Sequence, residues 1–469
     1  FGSIKIIKLV SKLKLKNTVK NLKRILLPVL LICLLIFGYL FYSFYPRLEL
    51  ISGFAAKNIC SCMFLDGRGQ EFTQNHDNNF TPINSARSSI DTTLKTATAT
   101  VYGLKTRTAV YREGLGCVLI PPHMSIDDFL EVEKPLRTPA SKTLTYPYGN
   151  APQKDTVFAT VDYQQLNQVV ERAFKNNSVQ KTRSVLVIYK DQIIAERYSD
   201  SLDHNSRLLG WSMTKTVLAT LYGILSYERG FDIYQPVKID TWKKDERAKI
   251  TYADLLHMGS GLEWDENYEQ ISDVTKMLFQ ADDMTKPIIE KQPEYPPNTH
   301  FNYSSGTTNL LSGLLLKEVG SYTEYLNFPY QKLIDRIGME SMIIETDASG
   351  NFIGSSYGWA TTRDWGKFGL LYLHEGNWNG DQLFDKKWVD FVTTAAPGSD
   401  GAYGGHLWLN TPTKLPDAPQ DTYYADGFQG QRVYIVPSKD LVVVRLGLAS
   451  TEAFDFNAFL SGITQAIDN

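Results

Sequence analysis

The segment Ile25–Tyr45, ILLPVLLICLLIFGYLFYSFY, carries no charged residue over 21 positions, and that run decides how the rest of the chain can be arranged. At about 1.5 Å rise per residue, a helix of this length reaches across a hydrocarbon layer of about 30 Å. Pro28 falls in the first turn, where its missing N–H costs least. Tyr39, Tyr42 and Tyr45 gather toward the far end, as interfacial aromatics do. Lys5, Lys8, Lys12, Lys14, Lys16, Lys20, Lys23 and Arg24 all precede the run. This charge bias predicts a single-pass anchor at 25–45, a basic cytoplasmic segment at 1–24, and an extracytoplasmic body after Pro46, periplasmic in a Gram-negative cell. A cleaved signal peptide is the alternative, but the run is too long for one and no small-residue cleavage site follows. Residues 1–24 read either as a basic amphipathic helix, with Ile4, Ile7, Leu9, Val10 and Leu13 partly on one face, or as a basic tail.

The basic flank masks the character of the body. Formal net charge is −3, yet nine of the 48 Lys and Arg lie in the first 48 residues, where there is no Asp or Glu. The remainder holds 39 basic against 51 acidic residues. A moderately acidic body without a basic, aromatic-rich patch excludes nucleic acid as a partner. A hydrophobic content of 43% supports a sizeable packed core and argues against disorder. Four Cys are too few for a disulfide scaffold, and no spacing suits a zinc site, so no metal is expected. One bridge from Cys60 or Cys62 to Cys117 can form if this region is extracytoplasmic; three reduced thiols is the other reading.

Beyond the apolar run, residues 46–136 read as a small appended region containing a hairpin, ATATVYGL and RTAVYREG, to which no function can be assigned. Residues 137–155, rich in Pro, Ser, Thr and Gly and lacking periodicity, read as a linker. The main domain, 156–469, opens with a helix near 163–176. The strands SVLVIYK and IIAERYS then flank a tight Asp191-Gln192 turn. Helical signals dominate from Ser212 to about Ile337. A second hairpin, QRVYIV and LVVVRLG, and a last helix over roughly 452–467 follow. Strands at both ends with helices between predict one sheet assembled from sequence-distant halves.

Within this frame, Trp211-Ser212-Met213-Thr214-Lys215 opens a long apolar helix. A spacing of three sets Ser212 and Lys215 on one face, one turn apart. A Ser hydroxyl needs an adjacent proton acceptor to attack a carbonyl, and a buried Lys can lose its proton near neutrality because desolvation disfavours its charge. Ser11–Lys14 and Ser178–Lys181 share the S-x-x-K spacing, but neither opens a long apolar helix.

Further stretches follow in a telling order: Leu255–Leu262 ending Ser-Gly-Leu, Pro296–Ser305 with Tyr303-Ser304-Ser305, Trp359–Asp364, and Gly427-Phe428-Gln429-Gly430-Gln431 before a strand. Together with the Ser212 segment they resemble the class C β-lactamase-like serine hydrolases, most closely the esterase and 6-aminohexanoate-dimer hydrolase branch, over roughly residues 157–469. The resemblance implies an α+β fold of the β-lactamase/transpeptidase type. An antiparallel sheet would be flanked by helices, with a mostly helical subdomain at about 216–336 and the site in the cleft between. It also implies roles. Ser212 would attack and form an acyl-enzyme, Lys215 would take its proton, and Tyr303 would pass a proton to the leaving group, as a phenolate favoured by the Lys charge. Backbone N–H groups of Ser212 and Gln431 would form the oxyanion hole. Ser305, Phe428, Gln429 and Gly430 would line the substrate, Gly430 permitting close approach of the strand. The mechanism needs no cofactor and no His, so His257 and His406 read as structural.

Two departures narrow the substrate. Ser305 stands where the family's Tyr-x-Asn motif has Asn, and Phe428-Gln429-Gly430 stands where it has Lys-Thr-Gly. Losing that Lys removes a charge-assisted contact to a substrate carboxylate, which costs roughly 1.5–3 kcal/mol. A small-molecule ester or amide lacking such a carboxylate is therefore the expected substrate. A catalytically silent scaffold subunit of an envelope complex, and a DD-peptidase or β-lactamase, are the competing readings.

Overall fold

In the computed structural model, which describes residues 2–467, helix α1 runs from Gly2 to Asp66 with Pro28 and Pro46 inside it. The amphipathic expectation for residues 1–24 concerns side chains that, Val10 aside, lie outside the described residues. From Leu26 to Phe44 the large apolar side chains are mostly exposed, Leu35 by 72%, and this part is long and apolar enough to cross a membrane. From Leu48 to Leu65 the apolar side chains are buried. The same helix thus changes from an uncovered apolar rod to a core element.

Its buried half packs on a four-stranded antiparallel sheet, β1 (Ala86–Asp91), β2 (Thr96–Val101), β3 (Lys105–Arg112) and β4 (Gly116–Leu119), in sequential order. The expected 96–112 hairpin is β2–β3. Cys60 and Cys117 form a disulfide that ties the helix to β4, and Cys62 remains a buried thiol. Closing a loop across a sequence separation of 57, this bridge is expected to contribute about 2–4 kcal/mol. A Cys60→Ala/Cys117→Ala variant should show that loss as a lower melting temperature.

The region is more than an appendage. One continuous apolar core runs from Leu48 and Phe54 through Val217 and Leu311 to Val444. A buried ion pair, Lys57 with Glu345, crosses the boundary, and Glu345 also accepts from the Ser61 hydroxyl (2.8 Å), the Cys117 N–H (2.6 Å) and the Trp359 indole (3.0 Å). Residues 137–155, expected as a linker, are held down rather than free. Arg137 pairs with Asp335, the buried Tyr146 hydroxyl donates to the Arg363 carbonyl, and Asn150 bridges Glu340 and Lys367. Side chains satisfy this segment because it makes almost no regular backbone ladder.

The main sheet has six strands, all antiparallel. β5 (Thr182–Tyr189) and β6 (Gln192–Tyr198) form the first hairpin, turning at Lys190 and Asp191, both at positive φ. β7 (Arg207–Leu209), β8 (Ile343–Ile344) and β9 (Gly358–Thr361) make a separate three-stranded sheet in the order β7-β9-β8. After a two-residue hairpin, β10 (Asn377–Trp378) and β11 (Asp381–Gln382), come β12 (Trp408–Leu409), β13 (Tyr423–Gly427), β14 (Gln431–Val436) and β15 (Leu441–Gly447). The large sheet runs β12-β13-β14-β15-β5-β6. The predicted joining of sequence-distant halves is the β15–β5 ladder, Leu441 opposite Tyr189 through Arg445 opposite Val185.

Alternation along these strands sends one set of side chains to each face. Leu186, Ile188, Val433, Val442 and Val444 pack with Trp365 and Phe368 of the helix Thr362–Leu373. Val185, Val187, Tyr434 and Val443 pack with Leu166 and Val169 of the helix Tyr163–Arg172 and with Phe459, Leu460 and Ile463 of the helix Phe456–Gln465. The intervening helices, Met213–Arg229 and Ser305–Val319 among them, pack at the other end of the larger core. This is the α+β, antiparallel-sheet architecture expected.

Candidate active site

Ser212 stands at the N-terminus of the helix Met213–Arg229, which closes at Gly230 with φ +64. Gly in the left-handed region ends a helix without a Cβ clash. The next face-mate, Lys215, is 1% exposed. Its amine reaches the Ser212 hydroxyl (3.0 Å), the Ser305 hydroxyl (2.9 Å) and the Ser355 carbonyl (2.9 Å). Burial pushes the Lys215 amine down to about 8, while Glu266 opposes that shift. An amine in this range exchanges its proton near neutral pH.

Tyr303 enters from the segment before the helix Ser305–Val319, whose N-terminus is capped by Ser304 accepting from the Thr307 N–H at 3.0 Å. That cap fixes where Tyr303 and Ser305 project. The Tyr303 hydroxyl faces the Ser212 side chain, and the Lys215 amine lies 4.9 Å from the centre of its ring. Alcohol, amine and phenol therefore meet at one point. The expectation of a phenolate favoured by Lys215 needs correction. Lys215 faces the ring, and burial, with Tyr403 and Glu266 nearby, holds the Tyr303 proton on well above the usual phenol range.

The apolar wall is assembled from aromatics. Phe428 stacks on Tyr268 (5.3 Å, 14°) and meets Trp211 edge-on at 5.3 Å; Tyr303 contacts Tyr403 and Trp408. Trp211 sits at φ +48, and Phe54 of α1 stacks on its other side at 5.8 Å. Gln429 and Gly430 form the turn into β14, at φ +64 and +78. The glycine requirement at 430 lies behind the strand and not on the substrate side: an added Cβ would meet Arg445 at 2.7 Å and Phe456 at 2.9 Å. The Gln431 side chain folds back onto the Phe428 carbonyl (3.0 Å) and the Gly447 N–H (3.0 Å).

His406 is buried, its ring held between the Leu256 carbonyl (2.6 Å) and the Thr308 hydroxyl (2.9 Å), and burial lowers it to about 3. His257 stacks on Phe391. Both are structural.

Two groups at the site escaped the sequence reading. The Ser355 carbonyl anchors Lys215 from a segment without periodicity. Glu266, in the loop after Ser-Gly-Leu, is a buried carboxylate whose oxygens receive the Trp264 indole N–H (2.6 Å), the Ser305 N–H (2.9 Å) and the Ser305 hydroxyl. An acidic residue inside Leu262-Glu263-Trp264-Asp265-Glu266 was the available signal, but three acids in five residues do not say which one turns inward.

An accessible serine beside a buried lysine, faced by a tyrosine near an antiparallel sheet, belongs to a class of α+β hydrolases. The chain belongs to the β-lactamase family, whose model matches residues 170–456. It is 24% identical over 302 residues to a 6-aminohexanoate-dimer hydrolase of Paenarthrobacter ureafaciens, covering 56% of this chain and 72% of that one. Among solved structures, a Bacillus anthracis protein provisionally described as a 6-aminohexanoate-dimer hydrolase superposes with TM-score 0.53 at 22% identity, over 63% of this chain and 79% of the other. A family VIII carboxylesterase superposes with TM-score 0.52 at 14% identity, over 67% and 99%. Esterases, amidases and β-lactamases all occur in this hydrolase family.

Proposed function

We propose that the protein is a serine hydrolase that cleaves a small ester or amide through an acyl-enzyme on Ser212. The observation that carries this reading is the Lys215 amine, buried and 3.0 Å from the Ser212 hydroxyl, with Tyr303 facing the same side chain. As Ser212 Oγ bonds to the substrate carbonyl carbon, its proton passes to neutral Lys215. Neutral Tyr303 then supplies a proton to the leaving group and recovers one from the ammonium of Lys215. Backbone N–H groups of Ser212 and Gln431 receive the oxyanion. No cofactor enters the scheme.

The Phe428–Tyr268–Trp211 wall supports a substrate without a carboxylate anchor, and Ser305, Gln429 and Gly430 border it. Phe428→Lys is expected to raise turnover of a carboxylate-bearing ester relative to its neutral methyl ester by about tenfold, the equivalent of one charge-assisted contact; paired kcat/KM values measure this. The mostly exposed apolar stretch from Leu26 to Phe44 and the Cys60–Cys117 bridge support a membrane-anchored protein with its body in an oxidising, extracytoplasmic compartment.

The reading is tested with a fluorophosphonate probe on the full chain in detergent. Covalent labelling that vanishes in Ser212→Ala is expected. Absence of labelling in folded wild-type protein overturns it and favours the scaffold role, whereas labelling by a fluorescent penicillin moves the substrate to β-lactams or peptidoglycan.

A further inference from the structure

Lys215 has three polar neighbours, and each proton state of the amine uses them differently. As an ammonium it donates to all three: Ser212 Oγ, Ser305 Oγ and the Ser355 carbonyl. As a neutral amine it has two N–H bonds and one lone pair. Only Ser212 and Ser305 carry a hydroxyl proton that could fill that lone pair, because a carbonyl cannot donate. Catalysis requires that Ser212 fill it. If the Ser305 hydroxyl does so instead, the base is occupied by the wrong alcohol.

Glu266 settles this competition. Both N–H donors, from Trp264 and from Ser305, point at one of its oxygens, and the Ser305 hydroxyl lies against the other. Burial raises the Glu266 carboxyl, while Lys215 and these three donors oppose that shift; every direct partner is a donor, which is the arrangement of an ionised carboxylate. The single hydroxyl proton of Ser305 is thereby turned toward Glu266, and only its oxygen lone pairs remain for Lys215. We propose that Glu266 is a positioning residue that acts through Ser305 to aim the lone pair of neutral Lys215 at Ser212. This rests on the Ser212 acyl-enzyme reading. It gives a physical role to Ser305 in place of Asn: an amide presents either its donor NH₂ or its acceptor oxygen to Lys215 depending on how it is turned, whereas a hydroxyl with its one proton engaged presents only lone pairs.

The other titratable groups around the pair do not compete. Tyr268, Tyr303 and Tyr403 keep their protons, each raised by burial, and His406 is neutral. The charge facing Lys215 is that of Glu266.

The test is the rate of fluorophosphonate labelling of the full chain against pH, with Ser212→Ala as the background. In Glu266→Gln the Ser305 hydroxyl is released and the negative charge is gone. The plateau rate is expected to fall roughly tenfold, as a share of the general-base contribution. The acid limb is expected to move to lower pH, by on the order of one unit, because the group that favoured the ammonium has been removed. Ser305→Ala removes the competing hydroxyl and should label faster than Glu266→Gln. The double variant Glu266→Gln/Ser305→Ala should also label faster than Glu266→Gln, a recovery that a merely structural carboxylate does not produce. A double variant no faster than Glu266→Gln, or an acid limb unmoved in Glu266→Gln, overturns the proposal. If Glu266→Gln does not fold, Glu266→Asp keeps charge and acceptor and must retain the wild-type acid limb; a displaced limb overturns the proposal. Unlabelled wild-type protein would instead overturn the nucleophile reading, so the two failures are distinct.

Discussion

Replacing Lys215 by Met is expected to slow acylation of Ser212 by roughly three orders of magnitude, the middle of the range for loss of a positioned general base. Met keeps the length and apolar bulk of the buried stem, so the loss reports the amine and not a cavity. The Ser305 hydroxyl and the Ser355 carbonyl would each lose a buried partner, which costs about 1–3 kcal/mol of stability; thermal melts separate this from the rate effect. Lys215→Arg should be equally inactive, because a guanidinium holds its proton at every accessible pH. On the proposed mechanism, the neutral amine is the competent form. Acylation should therefore rise with pH and level off above about 8, the value to which burial lowers Lys215. A pH profile of single-turnover labelling checks both the limb and its disappearance in the two variants.

Replacing Glu345 by Ala is expected to have the largest effect on stability, about 3–5 kcal/mol. The carboxylate is fully buried and receives Lys57 and the Ser61 hydroxyl from α1, the Cys117 N–H from β4 and the Trp359 indole from β9, three separate stretches of chain. Its removal leaves the Lys57 ammonium without its charge partner and the Cys117 N–H and Trp359 indole without an acceptor in a buried setting, where each costs far more than it would at the surface. Replacing Lys57 and Glu345 together by Met and Leu should recover much of the loss, because a buried pair exchanged for apolar volume is often neutral. Denaturant titrations of the two variants, compared at equal slope, measure the difference.

How far the sequence could be read depended on whether a residue's role was local. The 182–198 hairpin was legible because two apolar strands flank a short polar turn, although the turn falls at Lys190-Asp191, one residue before the expected Asp191-Gln192, and Gln192 pairs in β6. Ser212 and Lys215 were legible because helical spacing alone makes them face-mates. Tyr303 needed the family resemblance, since its position relative to Ser212 is set by contacts no periodicity encodes. Glu266 and the Ser355 carbonyl were not legible for the same reason: irregular segments bring them in, and one of them acts through its backbone. The fusion of residues 46–136 with the main core was hidden by Pro46 and by the appearance of charge after Tyr45. That charge includes Lys57, whose partner Glu345 lies 288 residues away. The phenolate expectation for Tyr303 weighed the charge of Lys215 alone, whereas burial, which raises the phenol, is set by contacts between distant segments.

The ring of Phe54 rests on the indole that immediately precedes the candidate nucleophile, and Phe54 lies nine residues beyond the end of the uncovered apolar stretch. Excising the chain at residue 156 to obtain a tractable soluble hydrolase would strip that support and leave Leu208 and Trp211 facing solvent. Detergent extraction of the whole chain, or a cut upstream of Leu48, keeps the part of α1 that holds Trp211 in place.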